Sequence, residues 1–166
     1  MTKKEASDKQ EKMVAKLLGW KQVTGSGSRN NFPGDVSGEG WLGECKTHIE
    51  DHKVVFKEPV WKKIWEEATA RFKYPAYFSD NGSQLAKYTW VIIPERELPK
   101  DYTVIDYPRD VKNSLSFAAD DMLFSVLDQY NSVYLFAFNT TSAELYKKKN
   151  RLLLMKLSAF EELISC

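Results

Sequence analysis

Sulfur and imidazole are scarce in this chain: two cysteines and two histidines among 166 residues. Cys45 falls in an apolar segment and Cys166 at the far end. Neither a disulfide framework nor a cysteine-based zinc site is indicated, and a reducing, cytoplasmic setting is the expectation. No apolar run reaches the 18 residues of a membrane span, and the opening residues carry no apolar signal region, so no membrane partner is expected. An excess of charge of one sign is missing too. With 24 Lys and Arg against 23 Asp and Glu the net charge is +1, which by itself does not mark a nucleic-acid binder. There is no phosphate-binding P-loop, no Ser/His/Asp order, no internal repeat and no low-complexity tract. His48 and His52 have the four-residue spacing of a helical metal pair, but the residues around them read as a strand end and a loop.

What is present suits a packed core. The chain is 43% hydrophobic and 13% aromatic, enough for one α/β domain over residues 1–166. Charge is uneven along it. Residues 1–74 hold 14 Lys and Arg against 11 Asp and Glu, and residues 75–166 hold 10 against 12. The first half is the more basic.

Ser7 to Gln10 has the spacing of a capping box, followed by the apolar stripe Met13, Val14, Leu17 and Leu18 and a stop at Gly19. Glu11 lies beside that stripe. Trp20–Thr24 reads as a strand, and Val54–Phe56 as a possible extension of the same sheet. Glu58-Pro59 opens a helix to about Phe72, with Val60, Ile64, Ala68 and Phe72 on its apolar face. Trp61 and Trp65 read as core rather than as base-stacking platforms. Strands follow at 75–79 and 88–93, then a loop-rich stretch at 94–113 and a helix over 116–129. A strand pair at 133–138 and 152–157 and a short helix at 158–164 close the chain. Phe117, Phe124, Tyr130, Tyr134, Phe136 and Phe138 exceed what one small sheet must bury. They either line a dimer interface or fill the back of the core. The turn Lys147, Lys148, Lys149, Asn150, Arg151 is a solvated turn or a contact to a DNA backbone.

Residues 34–46 are the most informative. Asp35 follows the chain-breaking Pro33-Gly34 and precedes by nine residues the triplet Glu44, Cys45, Lys46. Ser37 to Gly40 reads as a tight turn between two short strands. A hairpin there brings Asp35 beside Glu44. Strand alternation puts Glu44 and Lys46 on one face and Cys45 on the other with Trp41 and Gly43. Two carboxylates beside a lysine are what a hydrolytic magnesium site needs. A plain salt-bridged strand face is the competing reading of Glu-x-Lys. Upstream, Ser26, Ser28, Arg29 and Asn30 form a polar loop suited to phosphate contact, or a simple linker.

An N-terminal helix with a glutamate, then Gly-Ser-Gly-Ser, Pro-Gly-Asp and Gly-Glu-Cys-Lys, resembles the PD-(D/E)xK nuclease superfamily. Within it the order is similar to the archaeal and phage Holliday junction resolvases. The resemblance covers residues 5–75. It implies a restriction-endonuclease-like fold, a mixed central sheet flanked by helices, with a catalytic core at about 5–93 and a C-terminal elaboration at about 94–166. It matches Asp35 to the motif's first acid, Glu44 and Lys46 to its (D/E)xK pair, and Glu11 to the helix glutamate. Gly34 stands where the superfamily's name carries proline. By this resemblance Asp35, Glu44, the Cys45 carbonyl and Glu11 hold Mg²⁺, with Mn²⁺ as a substitute, and Lys46 serves the attacking water. Ser26, Ser28, Arg29, Asn30, Lys57, Lys147, Lys148, Lys149 and Arg151 are the candidate DNA contacts. The implied substrate is a four-way DNA junction and the implied assembly a symmetric homodimer. Other readings are an endonuclease acting on duplex or flapped DNA, and a non-catalytic nucleic-acid-binding module of the same fold.

Overall fold

The computed structural model describes residues 1–23, 34–121, 124, 125, 127, 131–139 and 151–165. Their elements are α1 (Lys3–Leu18), β1 (Lys21–Gln22), β2 (Val36–Gly38), β3 (Trp41–Thr47), β4 (Val54–Lys57), α2 (Glu58–Thr69), β5 (Tyr74–Asp80), β6 (Thr89–Pro94), β7 (Thr103–Asp106), β8 (Ser114–Phe117), β9 (Ser132–Ala137), β10 (Arg151–Lys156) and α3 (Leu157–Ile164). The main sheet runs β1-β2-β3-β5-β6-β10-β9-β7, and β4 and β8 form a separate antiparallel pair. It is mixed: β3–β5 and β7–β9 are parallel, and the other contacts are antiparallel. No helix among the described residues is long and apolar enough to cross a membrane.

Central strands are buried on both faces, which is why they read as unbroken apolar runs rather than alternating ones. Trp90 to Ile93 and Leu152 to Met155 are all buried. One face packs Leu42, Tyr77, Trp90, Ile92 and Leu154 under Trp61 and Ile64 of α2 and Phe56, Leu115 and Phe117 of the small sheet. The other packs Cys45, Phe78, Val91 and Leu153 under Val14 of α1 and Phe160 of α3. The α/β class and the late antiparallel strand pair agree with the sequence.

Several local expectations are corrected. Helix α1 begins at Lys3, because Thr2 and Glu5 make the true capping box: the Glu5 N–H donates to Thr2 Oγ1 at 3.1 Å and the Thr2 N–H to Glu5 Oε2 at 2.9 Å. Ser7 is inside that helix. The end at Gly19 is as expected, at φ 69°. Val54–Phe56 does not extend the main sheet but pairs with β8. Ser116 and Phe117, read as a helix start, are strand, because Leu115 and Phe117 alternate inward while Ser114 and Ser116 stay exposed. The loop-rich stretch holds β7, an edge strand paired with β9. Helix α2 stops at Thr69, so Phe72 is not on its apolar face.

The aromatic surplus is also resolved. Phe117, Phe124, Tyr134, Phe136 and Phe138 are all buried in the chain's own core. They give no argument for an interface, and Tyr130 lies outside the described residues.

Candidate active site

The site is built on the β2–β3 hairpin. Its turn is Glu39-Gly40, with Gly40 at φ 78°. The register pairs Val36 with Gly43, which sets Asp35 beside Glu44 at the next position. Strand β2 therefore stops covering β3 beyond Gly43. The edge left by it needs a partner, since a buried backbone N–H is rarely unpaired. Asp35 supplies one. Its own N–H donates to the Gly43 carbonyl at 2.8 Å, and its Oδ2 accepts from the Cys45 N–H at 2.8 Å. The carboxylate is thus fixed against the backbone between Glu44 and Lys46.

Two glycines make this approach possible. A Cβ on Gly34 would lie 2.8 Å from Leu42 Cδ1, and Gly34 sits at φ 71°. Proline, with φ fixed near −65°, cannot occupy that position. The Gly34 N–H donates to Glu67 Oε2 of α2 at 3.0 Å. A Cβ on Gly43 would lie 2.7 Å from both Val36 and Phe78.

Glu44 and Lys46 share a face as expected, with Lys46 Nζ 3.3 Å from Glu44 Oε1. Asp35 and Glu44 are both buried, at 8% and 5% exposure, while the Lys46 side chain is 44% exposed. Burial, and then the neighbouring Asp35 charge, push the Glu44 carboxyl from 4.5 up to about 7, against the pull of Lys46 and Lys63. Glu11 is raised as well, first by burial and then by Asp35 and Asp8, with the Gln22 hydrogen bond and Lys46 opposing. Its Oε2 accepts from Gln22 Nε2 at 2.8 Å, which also donates to Asp8. Three acids from three segments thus converge electrostatically. Cys45 points to the opposite face, buried, with its thiol pushed well up by burial and the surrounding acids.

Among the described residues no group of three or more His, Cys, Asp or Glu side chains is arranged to hold a metal ion as it stands. Asp35 and Glu44 offer a two-carboxylate site, and the Cys45 carbonyl belongs to the residue whose N–H anchors Asp35. That donor set is all oxygen and fits a hard cation that keeps several waters. Its main chemical fit lies in Glu44: burial and the Asp35 charge disfavour its ionised form, and a cation would favour it.

Ser26, Ser28, Arg29, Asn30, Lys147, Lys148 and Lys149 lie outside the described residues. Arg151 begins β10 and pairs with Glu95 at 3.0 Å rather than sitting in an open turn. Lys57 is exposed at the start of α2. His48 is half-buried beyond the end of β3, and the His52 N–H closes a turn onto its carbonyl at 3.1 Å.

Sequence reasoning missed Gln10. It is fully buried, and its Nε2 donates to the Lys46 carbonyl at 2.7 Å, tying α1 to β3 next to Glu11. The available signal was spacing: Gln10 continues the line of Ala6 and Val14 at four-residue intervals. Compared with known protein families, curated proteins and solved structures, the chain has no match.

Proposed function

We propose that this chain is a Mg²⁺-dependent DNA endonuclease of the restriction-endonuclease-like kind, hydrolysing phosphodiester bonds in branched DNA. The supporting observation is the buried pair Asp35 and Glu44 with the Lys46 amine 3.3 Å from Glu44. Two buried carboxyls side by side carry desolvation and mutual repulsion, which a bound cation would offset.

Asp35, Glu44 and the Cys45 carbonyl would hold the ion, with Glu11 reaching it directly or through water. A bound Mg²⁺ supplies charge stabilisation of the phosphoryl oxygens and a more acidic water. Lys46 orients the attacking water and neutralises charge growing on the phosphate. Asp35 stays in place through the Cys45 N–H. Gln10 fixes the backbone from which Lys46 projects.

The test is purified protein with Mg²⁺ on labelled four-way junction, flap, duplex and single-stranded DNA, with EDTA as control. Cleavage of the junction in paired symmetric cuts is the expected result. Full activity in EDTA would remove the mechanism.

Junction resolution calls for two cuts related by two-fold symmetry, most simply made by an isologous homodimer. Phe117, Phe124, Tyr134, Phe136 and Phe138, which suggested an interface, fill the core instead. That observation favours a second reading, a monomeric endonuclease on duplex or flapped DNA. Light scattering at micromolar concentration, free and on junction DNA, separates the two.

A further inference from the structure

Helix α2 carries a lysine toward the carboxylate site that serves neither packing nor capping. The crossover β3–α2–β5 joins two parallel strands, so α2 runs back against β3, over the face where Trp61 and Ile64 cover Leu42 and Tyr77. Glu44 and Lys46 belong to that face, because Leu42, Glu44 and Lys46 alternate with Gly43 and Cys45 along β3. Trp61, Ile64 and Ala68 form the buried stripe of α2. Lys63 and Glu67 lie outside it, one helical turn apart.

Glu67 is tied to the site. Its Oε2 accepts the Gly34 N–H at 3.0 Å, and Gly34 immediately precedes Asp35. Gly34 is buried, so its N–H needs a partner, and α2 supplies it. The other oxygen, Oε1, lies 3.7 Å from Lys63 Nζ, with the Lys63 side chain 63% exposed and that of Glu67 22%. At that distance the contact is an ion pair without a hydrogen bond. Glu67 therefore leaves the three N–H donors of the Lys63 amine to water or to a ligand. An exposed pair of this kind adds little to stability, so the amine leaves Glu67 at small cost.

Lys63 also acts on the carboxylates. The step from Glu67 to Lys63 leads toward the start of α2. That start is anchored beside the site: the Lys57 N–H donates to Tyr77 Oη at 3.2 Å, and Tyr77 pairs with Glu44 across β3 and β5. The Lys63 charge favours the ionised Glu44 carboxyl, after that of Lys46 and against that of Asp35. Two amines thus act on Glu44, one from its own strand and one from the neighbouring helix. A phosphodiester brought to Asp35 and Glu44 adds a negative charge where two carboxyls already oppose it. A weakly held amine at the rim offsets that charge, and lysine binds phosphate as a point charge without a fixed geometry.

We propose that Lys63 is a second phosphate-binding residue of the site, whose amine exchanges Glu67 Oε1 for a non-bridging oxygen of the DNA phosphate presented to Asp35 and Glu44. Glu67 is then a positioning residue: it keeps the Gly34 turn in place and holds Lys63 between substrates. This rests on the nuclease reading and adds to it a substrate contact from outside the β2–β3 hairpin.

The test uses the whole protein as wild type, Lys63→Gln, Lys63→Arg and Glu67→Gln. DNA binding is measured by anisotropy on a four-way junction and a paired duplex at several salt concentrations, with Ca²⁺ in place of Mg²⁺. Cleavage is measured in single turnover with Mg²⁺, and stability by urea unfolding. Lys63→Gln is expected to lower the slope of log affinity against log salt by about 0.9, the value of one phosphate contact. It is expected to slow cleavage at least about tenfold. Its unfolding midpoint should equal that of wild type, because the ion pair it removes is exposed. Lys63→Arg should keep the slope, since it keeps the charge. Glu67→Gln retains an oxygen for the Gly34 N–H and drops the charge that holds Lys63, so it should bind DNA at least as tightly as wild type. Wild-type slope and rate in Lys63→Gln would overturn the proposal and leave Lys63 a solvated partner of Glu67. A slower rate with an unchanged slope would overturn it too, because Lys63 would then act through Glu44 alone. So would a slope lowered equally by Lys63→Gln and Lys63→Arg, which would make the effect one of packing. Wild type that neither binds nor cuts any of these DNAs would remove the nuclease reading and the proposal with it, whereas a wild type that cuts beside an unaffected Lys63→Gln removes the proposal alone.

Discussion

Replacing Glu44 with glutamine removes a charge that the fold holds unfavourably, so the variant is expected to be more stable than wild type above neutral pH. The magnitude follows from the site. Burial and the adjacent Asp35 raise the Glu44 carboxyl from 4.5 to about 7. Between those values the folded chain binds more proton than the unfolded chain. The stabilising contribution is therefore fully present below pH 4.5 and is lost as the pH rises through about 7. Once lost, it amounts to about 3 kcal/mol, at about 1.4 kcal/mol per pH unit. Glutamine must satisfy its amide in the same buried place, so the expected net gain at pH 8 is about 1–3 kcal/mol. Glu11 and Asp80 are raised in the same direction and remain in the variant, so its pH dependence is reduced rather than abolished. Urea unfolding at pH 4.5 and pH 8, in EDTA, measures both effects. Adding Mg²⁺ at about one hundred times its dissociation constant is expected to return about 2.7 kcal/mol to wild type and much less to Glu44→Gln. A variant less stable than wild type at pH 8 would refute the idea that the fold holds the Glu44 charge unfavourably.

Asp35→Asn and Lys46→Ala are each expected to lower cleavage at least about 10²-fold in single-turnover assays, with DNA affinity held or raised for Asp35→Asn. Ca²⁺ is expected to support DNA binding in a filter or anisotropy assay without cutting, since oxygen ligands accept it but its geometry differs from that of Mg²⁺. Gly34→Pro is expected to unfold the hairpin or lower the midpoint of urea unfolding sharply. Gly34→Ala should cost about 1–3 kcal/mol through strain at φ 71° and the Leu42 clash.

The pairing of Asp35 with Glu44 was legible because it depends on local rules only: a glycine turn, alternation along a strand, and a short register. The α2 start at Pro59 and the β9–β10 pair were legible for the same reason. Misreadings came where two local signals competed or where distant packing decided. Thr2–Glu5 and Ser7–Gln10 both have N-cap character, and only the first makes the reciprocal hydrogen bonds. Ser114–Phe117 became strand because β4 was available to pair with it, 60 residues earlier in the chain. Gln10 was missed for a different reason. Its four-residue spacing from Ala6 and Val14 marks a buried position, but nothing local marks its hydrogen bond to a backbone 36 residues away.

Two costs to stability meet on one hairpin. Asp35 and Glu44 are buried carboxyls side by side. Gly34 and Gly43 give up conformational entropy so that chains can close around them. Elsewhere among the described residues Trp61, Trp90, Phe124 and Phe160 are buried in apolar surroundings, and the buried Asp80 accepts hydrogen bonds from Thr47 Oγ1 and the Gly82 N–H. Selection tolerates destabilising features only above a threshold set by the rest of the fold, and local rules are broken mainly where function requires it. The costs therefore point to the β2–β3 hairpin and its carboxylates. This is why stability gain on mutation in Glu44→Gln is the readout that separates a working site from an ordinary one.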